Sequence, residues 1–204
     1  DLRSSDAPRV VQLEDGSTAV LDAGTALAVE FDGQRRHLRL LRGQAWFQVV
    51  HEQRPFQVEA GGGQIRDIGT AFSVSMRDTT VVTQVSEGVV DVRPGDGSVQ
   101  RLHAGQARVF RDGRWLRPVQ LEDLETMAPW RRGEVVIDDQ PAAQAIADLA
   151  RYRRAPVWVL GGQGADVRVS GLFHLQQPEA AIDAVAAQAG LRVQRLPGGA
   201  LVVW

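Results

Sequence analysis

Cysteine is missing from the sequence altogether, which excludes disulfides, cysteine-ligated zinc and thiol nucleophiles. A chain without thiols suits any compartment, an oxidising one included. Lysine is missing too: all 23 basic residues are arginine, a bias we read as coding rather than function. A net charge of −2 supplies no field that would draw in nucleic acid or an anionic membrane. No run reaches the roughly 18 apolar residues that a membrane-spanning helix needs. The first residues, D-L-R-S-S-D-A-P, contain neither a signal peptide nor an initiator methionine. They read as a cut inside a longer protein, with any anchoring segment lying outside the chain. Enzyme signatures are lacking as well: G-x-S-x-G, H-E-x-x-H, P-loop and EF-hand patterns do not occur. The four histidines, His37, His51, His103 and His174, stand singly. No cofactor, no metal and no action on an external substrate are expected.

What is present is an ordinary globular composition, 44% hydrophobic and 24% charged over 204 residues, enough for one large domain or two small ones. Two halves differ in grammar. Over 1–117, short alternating runs are divided by Gly, Asp and Pro at regular intervals, the pattern of an all-β subdomain built as stacked hairpins or a β-roll. Candidate strands include His37 to Leu41, Ala45 to Val50, Phe56 to Ala60, Gln64 to Ile68, Ala71 to Met76 and Val81 to Val85. Glycine recurs just ahead of such runs, at Gly24, Gly43, Gly69, Gly88 and Gly105, which suggests successive corners. Residues 118–129 read as a linker, with Leu121, Leu124 and Met127 spaced for a short helix ending at Pro129.

From 130 to 204 the pattern becomes a small α+β domain of two β-α-β units. The strand Glu134 to Ile137 leads into a helix opened by Gln140-Pro141, with Ile146, Leu149 and Tyr152 on one face. Val157 to Leu160 is the next strand. Val135 to Pro141 then lines up with Leu172 to Pro178, an offset of 178 − 141 = 37 residues. A second helix carries Ile182, Val185 and Ala189 inward and stops at Gly190. Leu191 to Leu196 and Ala200 to Trp204 close a hairpin. Asp138-Asp139 reads as a helix start rather than a catalytic pair, and Tyr152-Arg153-Arg154 as a solvated helix end.

One bond stands out. In R-D-I-G-T-A-F-S-V (66–74) a hydroxyl directly follows a flexible glycine carbonyl. Gly69 is either one more corner in a sheet or half of a bond built to break. In the second case Thr70 Oγ would attack the Gly69 carbonyl in an N-to-O acyl shift, giving an ester that water cleaves.

Several stretches carry a family resemblance: L-E-D-G-S-T-A-V-L-D-A-G-T-A-L (13–27), R-L-L-R-G-Q-A-W-F-Q-V (39–49), P-F-Q-V-E-A (55–60), I-G-T-A-F-S-V (68–74), V-S-E-G-V-V-D-V (85–92), L-H-A-G-Q (102–106), W-R-R-G-E-V-V-I-D-D-Q-P (130–141) and R-Y-R-R (151–154). In this order they resemble FecR-type anti-sigma regulators of Gram-negative cell-surface signalling; Ala142-Ala143, where the family more often has a leucine, departs from the pattern. The resemblance implies a periplasmic part of a single-pass inner-membrane protein. It implies an all-β membrane-proximal subdomain followed by a secretin/TonB short N-terminal-like domain. The implied partners are the N-terminal signalling domain of a TonB-dependent outer-membrane receptor, periplasmic and intramembrane proteases, and a sigma factor held only through a cytoplasmic segment. Some members split at the Gly-Thr of this motif and others do not, which makes Gly69 and Thr70 the candidate self-cleavage residues.

For the partner, sheet-edge pairing is the expected route. The candidate edges are Val157 to Leu160 and Ala200 to Trp204, with Trp158, Val159, Leu160, Leu201, Val203 and Trp204 as contact residues. The same residues also fit ordinary core packing. A different class of function, a carbohydrate- or cell-wall-binding β module, would require exposed aromatics; Trp46 and Trp115 are its candidates, although Trp46 sits in an alternating strand that turns it inward.

Overall fold

A computed structural model describes residues 1–95, 97–116, 119–120 and 127–204, with 119–120 as backbone alone. It divides into two units, Asp1–Ala128 and Pro129–Trp204. The expected linking helix at Leu121 and Leu124 lies outside the described residues.

The first unit is built from short strands in chain order: β1 (Leu2–Arg3), β2 (Arg9–Gln12), β3 (Thr18–Leu21), β4 (Ala26–Phe31), β5 (Arg36–Gln48), β6 (Phe56–Ala60), β7 (Gly63–Asp67), β8 (Ala71–Arg77), β9 (Thr80–Glu87), β10 (Val89–Arg93), β11 (Gln100–His103), β12 (Gln106–Arg111), β13 (Arg114–Trp115) and β14 (Val119–Gln120). They hydrogen-bond in the order β11-β10-β7-β6-β5-β8-β9-β12-β13. β14 pairs with β12, so the stretch expected to open a linker instead adds a strand.

β5 organises this unit. The sequence reads as two strands there, His37 to Leu41 and Ala45 to Val50, with a corner at Gly43; the structure joins them into one strand of 13 residues. Its first half pairs with β4 and, in parallel, with β6. Its second half, from Gly43 on, pairs with β8 and β3. Gly43 has φ 85°, and a Cβ there would stand 2.5 Å from Thr25 Oγ1. A residue with a side chain could neither adopt that φ cheaply nor fit, so glycine bends the strand without ending it. The register with β4 slips just before it, at Leu41.

Alternation sets the core. Along β9 every second residue is buried (Val81, Thr83, Val85), and β6 buries Phe56, Val58 and Ala60, as the two-residue period of a pleated strand requires. Phe47, Phe56 and Phe72 meet at the centre, with ring centroids 5.3–6.4 Å apart. Against Phe56 lies the guanidinium of Arg36, 5.3 Å from the ring centroid, on a residue only 2% exposed. Its Nη1 donates to Asp15 Oδ2 at 2.7 Å and to the Val50 carbonyl at 3.0 Å. Nε and Nη2 donate to the Arg54 carbonyl. Burial alone would raise the Asp15 carboxyl, but hydrogen bonds from Ser17 and Arg36 and the guanidinium charge outweigh it and hold it below its ordinary 3.8. Arg36 thus fastens residues 50–54, the connection from β5 to β6, onto the core.

The second unit opens with a short 3-10 helix, Pro129–Arg132, followed by β15 (Glu134–Pro141), α1 (Ala142–Ala150), β16 (Val157–Val159), β17 (Arg168–His174), α2 (Pro178–Gln188), β18 (Val193–Arg195) and β19 (Leu201–Val203). The order of elements is that of two β-α-β units, but their strands are distributed over two sheets. β15 and β17, the two aligned repeat strands, pair antiparallel with each other; the other sheet runs β16-β19-β18. Ile137, Ile146, Leu149, Ile182, Val185, Leu201 and Val203 form a common core. α2 ends as its sequence suggests: Gly190 takes φ 69°, and the amides of Leu191 and Gly190 donate to Ala186 and Ala187, a Schellman closure.

Two local expectations are corrected. Asp138-Asp139 does not cap α1, whose N-cap is Pro141 with no side-chain cap bond. Asp139 instead lies in a bulge with φ 41°. Its amide donates to Ser170 Oγ, and its carboxylate accepts two bonds from Arg168. Tyr152-Arg153-Arg154 is not a wholly solvated helix end either. Tyr152 is buried, and Arg153 donates to Glu179 at 2.8 Å and to the Gly199 and Ala155 carbonyls.

Candidate functional site

Gly69 and Thr70 occupy the turn from β7 to β8. Gly69 has φ 90°, a left-handed conformation that costs a residue with a Cβ about 1–2 kcal/mol. Space is not what demands glycine: a Cβ would meet only His51 Nδ1, at 3.9 Å. Thr70 is 4% exposed, and its carbonyl accepts the Val49 amide at 3.0 Å. Ile68 donates to Val89 on the other side, so both flanks of the Gly69–Thr70 bond are tied into ladders.

Two residues complete the site that sequence reading did not single out. Asp67 ends β7; its Oδ2 accepts the Gly69 amide at 3.0 Å, and its Oδ1 accepts the Thr70 hydroxyl. Aspartate two and three residues ahead of its donors is the local Asx pattern, so D-I-G-T carried a signal for it. Gly88, between β9 and β10, lies against the bond from the opposite side. A Cβ there would run into the Gly69 carbonyl oxygen and stand 2.9 Å from Thr70 Cγ2, and its φ is already +74°. Nothing local in the sequence relates position 88 to position 69; only the β7·β10 and β8·β9 registers do. Strain and overpacking together set the expected result for Gly88→Ala: a loss of about 2–4 kcal/mol in denaturant unfolding. A loss below roughly 0.5 kcal/mol, the range of an indifferent surface change, would contradict this packing.

The expected partner residues separate into two sets. β16 is an outer strand of its sheet, but β19 lies between β16 and β18. The C-terminal strand is therefore not an edge, because both of its sides are already hydrogen-bonded. Leu201 and Val203 are buried on the core face, with Val157 and Val159 packed beside them. Trp158, Leu160 and Trp204 remain exposed, at 49%, 68% and 40%. Alternation and the pairing of Trp158 with Val202 place them on the opposite face.

The aromatics of the first unit do not form a binding platform. Trp46 is buried, with its Nε1 3.4 Å from Ser86 Oγ, and Trp115 packs edge-on against Phe110. Among the described residues of that unit no aromatic side chain is exposed. No group of three His, Cys, Asp or Glu residues gathers as a metal site, and no helix is long and apolar enough to cross a membrane, again among the described residues.

Residues 2–91 match the family model described as "FecR protein". That span runs from β1 to β10 and contains the whole Gly69–Thr70 site. Over that stretch the first unit is similar to FecR proteins. No curated protein matches the chain. Two crystal structures of a candidate anti-sigma factor from Parabacteroides distasonis, at 2.50 Å and 1.65 Å, are each 22% identical to it with a TM-score of 0.84. Each likeness covers 100% of this chain and 97% of the other, so the fold is shared from the first unit through the α+β unit.

Proposed function

We propose that the chain is the signal-receiving region of a FecR-type anti-sigma regulator. The observation that carries this reading is the FecR match over residues 2–91, supported by a fold shared end to end with a candidate anti-sigma factor. On this reading the region is periplasmic and belongs to a single-pass inner-membrane protein. It receives the state of a TonB-dependent outer-membrane receptor by contact with that receptor's N-terminal signalling domain. Periplasmic and intramembrane proteases then release an extracytoplasmic-function sigma factor held by a cytoplasmic segment outside these residues.

The α+β unit supplies the contact. β16 has one side of its backbone available for strand addition, and Trp158 and Leu160 flank it on the exposed face. Titration calorimetry of the chain with the purified signalling domain of its cognate receptor tests this. Trp158→Ala is expected to weaken binding at least about 30-fold, the scale of an aromatic hot spot, with unfolding unchanged. No binding by the wild-type chain, or equal binding by the variant, would contradict the docking assignment.

The FecR unit contributes a second step in this reading: self-cleavage between Gly69 and Thr70 through an N-to-O acyl shift. Support comes from the positive φ of Gly69, the burial of Thr70 and the close approach of Gly88, which leaves no room for a Cβ beside the Gly69 carbonyl. Glycine at 69 leaves the backbone free to take the geometry that an attack on its carbonyl requires.

A further inference from the structure

Asp67 is the acidic group whose two oxygens hold both residues of the bond that this reading cleaves. One oxygen takes the Gly69 amide at 3.0 Å; the other takes the proton-bearing Thr70 hydroxyl. Both contacts fit a local Asx turn, and the second also places a carboxylate oxygen on the hydroxyl that would attack. The second aims a hydroxyl at a carboxylate where Thr70 is 4% exposed, so water competes little for that proton. Opposite Asp67 in the β7·β10 ladder stands Val90, and Val89 takes the Ile68 amide. The neighbouring strand thus sets no charge directly across from the carboxylate.

We propose that Asp67 is the general base of the rearrangement at Gly69–Thr70; the proposal rests on the self-cleavage reading above. The carboxylate takes the Thr70 hydroxyl proton as Oγ bonds to the Gly69 carbonyl carbon, and the carbonyl oxygen takes up the negative charge in a five-membered ring. When that ring collapses, the carbon–nitrogen bond breaks and the proton passes from the Asp67 carboxyl to the Thr70 nitrogen. The product is an ester between the Gly69 acyl group and Thr70 Oγ, with a free Thr70 amine. One water then adds to the ester carbonyl and the carbon–oxygen bond breaks, leaving a Gly69 carboxylate and restoring the Thr70 hydroxyl. No oxidant or reductant enters. Gly69 permits the backbone to turn, Thr70 supplies the nucleophile, and Asp67 makes a weak nucleophile competent at neutral pH.

The test follows full-length chains made by cell-free synthesis, sampled over time by denaturing intact mass. Asp67→Asn keeps one oxygen for the Gly69 amide, but its NH2 replaces the acceptor of the Thr70 hydroxyl and it cannot take the proton. It is expected to cleave at least about 100-fold more slowly than wild type, the usual worth of a positioned base, with its melting temperature retained. The matched pair Asp67→Glu and Asp67→Gln repeats the contrast on a longer arm, so a folding defect in the Asn variant leaves a second reading: Glu cleaves and Gln does not. Cleavage by Asp67→Asn, or by folded Asp67→Gln relative to Asp67→Glu, within about threefold overturns the role of Asp67, provided Thr70→Ala stays whole. A wild-type chain that itself stays whole overturns the self-cleavage reading, and the base assignment with it.

Discussion

Expressed as two separate chains, residues 1–69 and 70–204 are expected to fail to form the first unit alone and to restore it when co-expressed. The strand order is the reason. β5 lies before Gly69 and β8 after it, yet they pair along Gly43–Gln48; β7 lies before and β10 after, and they pair along Gln64–Asp67. The first piece alone would leave Phe47, Phe56 and Leu38 without Phe72, Val74, Val85, Val90 and Phe110, all members of the same buried cluster. Each such side chain is worth about 1.5–3 kcal/mol on burial, and together the five missing partners match the about 5–15 kcal/mol by which a domain is stable. Co-purification of the pieces as one particle, separated only by denaturant, is the predicted result. A cooperative unfolding transition from residues 1–69 alone would contradict it. The same interdigitation means that cutting the Gly69–Thr70 bond would leave the unit assembled.

Arg36→Ala is expected to cost about 3–5 kcal/mol in denaturant unfolding, the scale of breaking a buried ion pair at one end. The substitution removes the counter-charge of the fully buried Asp15 carboxylate, leaving it only its Ser17 bonds, and frees the carbonyls of Val50 and Arg54. Its cost depends on pH with a definite sign. Asp15 is held below its ordinary 3.8 in the folded chain, so its contribution is present above that value. It disappears as pH falls through the lowered folded value. Wild-type stability should therefore drop in that acid window, and the gap between wild type and variant should narrow there. A loss under about 1 kcal/mol at neutral pH would contradict the assignment. Because Arg36 also fastens the 50–54 connection next to His51 and Gly69, the variant should loosen the turn as well.

Much of this fold was legible because it follows from local chemistry. Two-residue alternation marked β6, β8 and β9, and the recurring glycines marked real conformational demands. Gly24, Gly43, Gly69, Gly88 and Gly105 all take positive φ, and Gly190 closes α2. What alternation could not report was continuity or pairing. Gly43 looks like Gly24 or Gly105 in sequence, but it bends one strand where they divide two, because Thr25 across the ladder dictates its geometry. The C-terminal strand reads as a candidate edge, whereas pairing puts it in the middle of its sheet. Asp138-Asp139 obeys the composition rule for a helix start, and the Arg168 partner that claims Asp139 lies 168 − 139 = 29 residues away. The candidate site divides in the same way. Gly69 and Thr70 were visible as a motif and Asp67 was adjacent to it. Gly88 enters only through the registers of β7 with β10 and of β8 with β9.

The central claim, that Gly69–Thr70 is a bond made to break, is tested most directly by denaturing intact-mass measurement of the purified chain beside Thr70→Ala. Two masses that sum to the whole chain plus one water, with the cut after Gly69 and a single uncut mass for Thr70→Ala, are the predicted result. One uncut mass for the wild-type chain would contradict it and return Gly69 to a bend between β7 and β8.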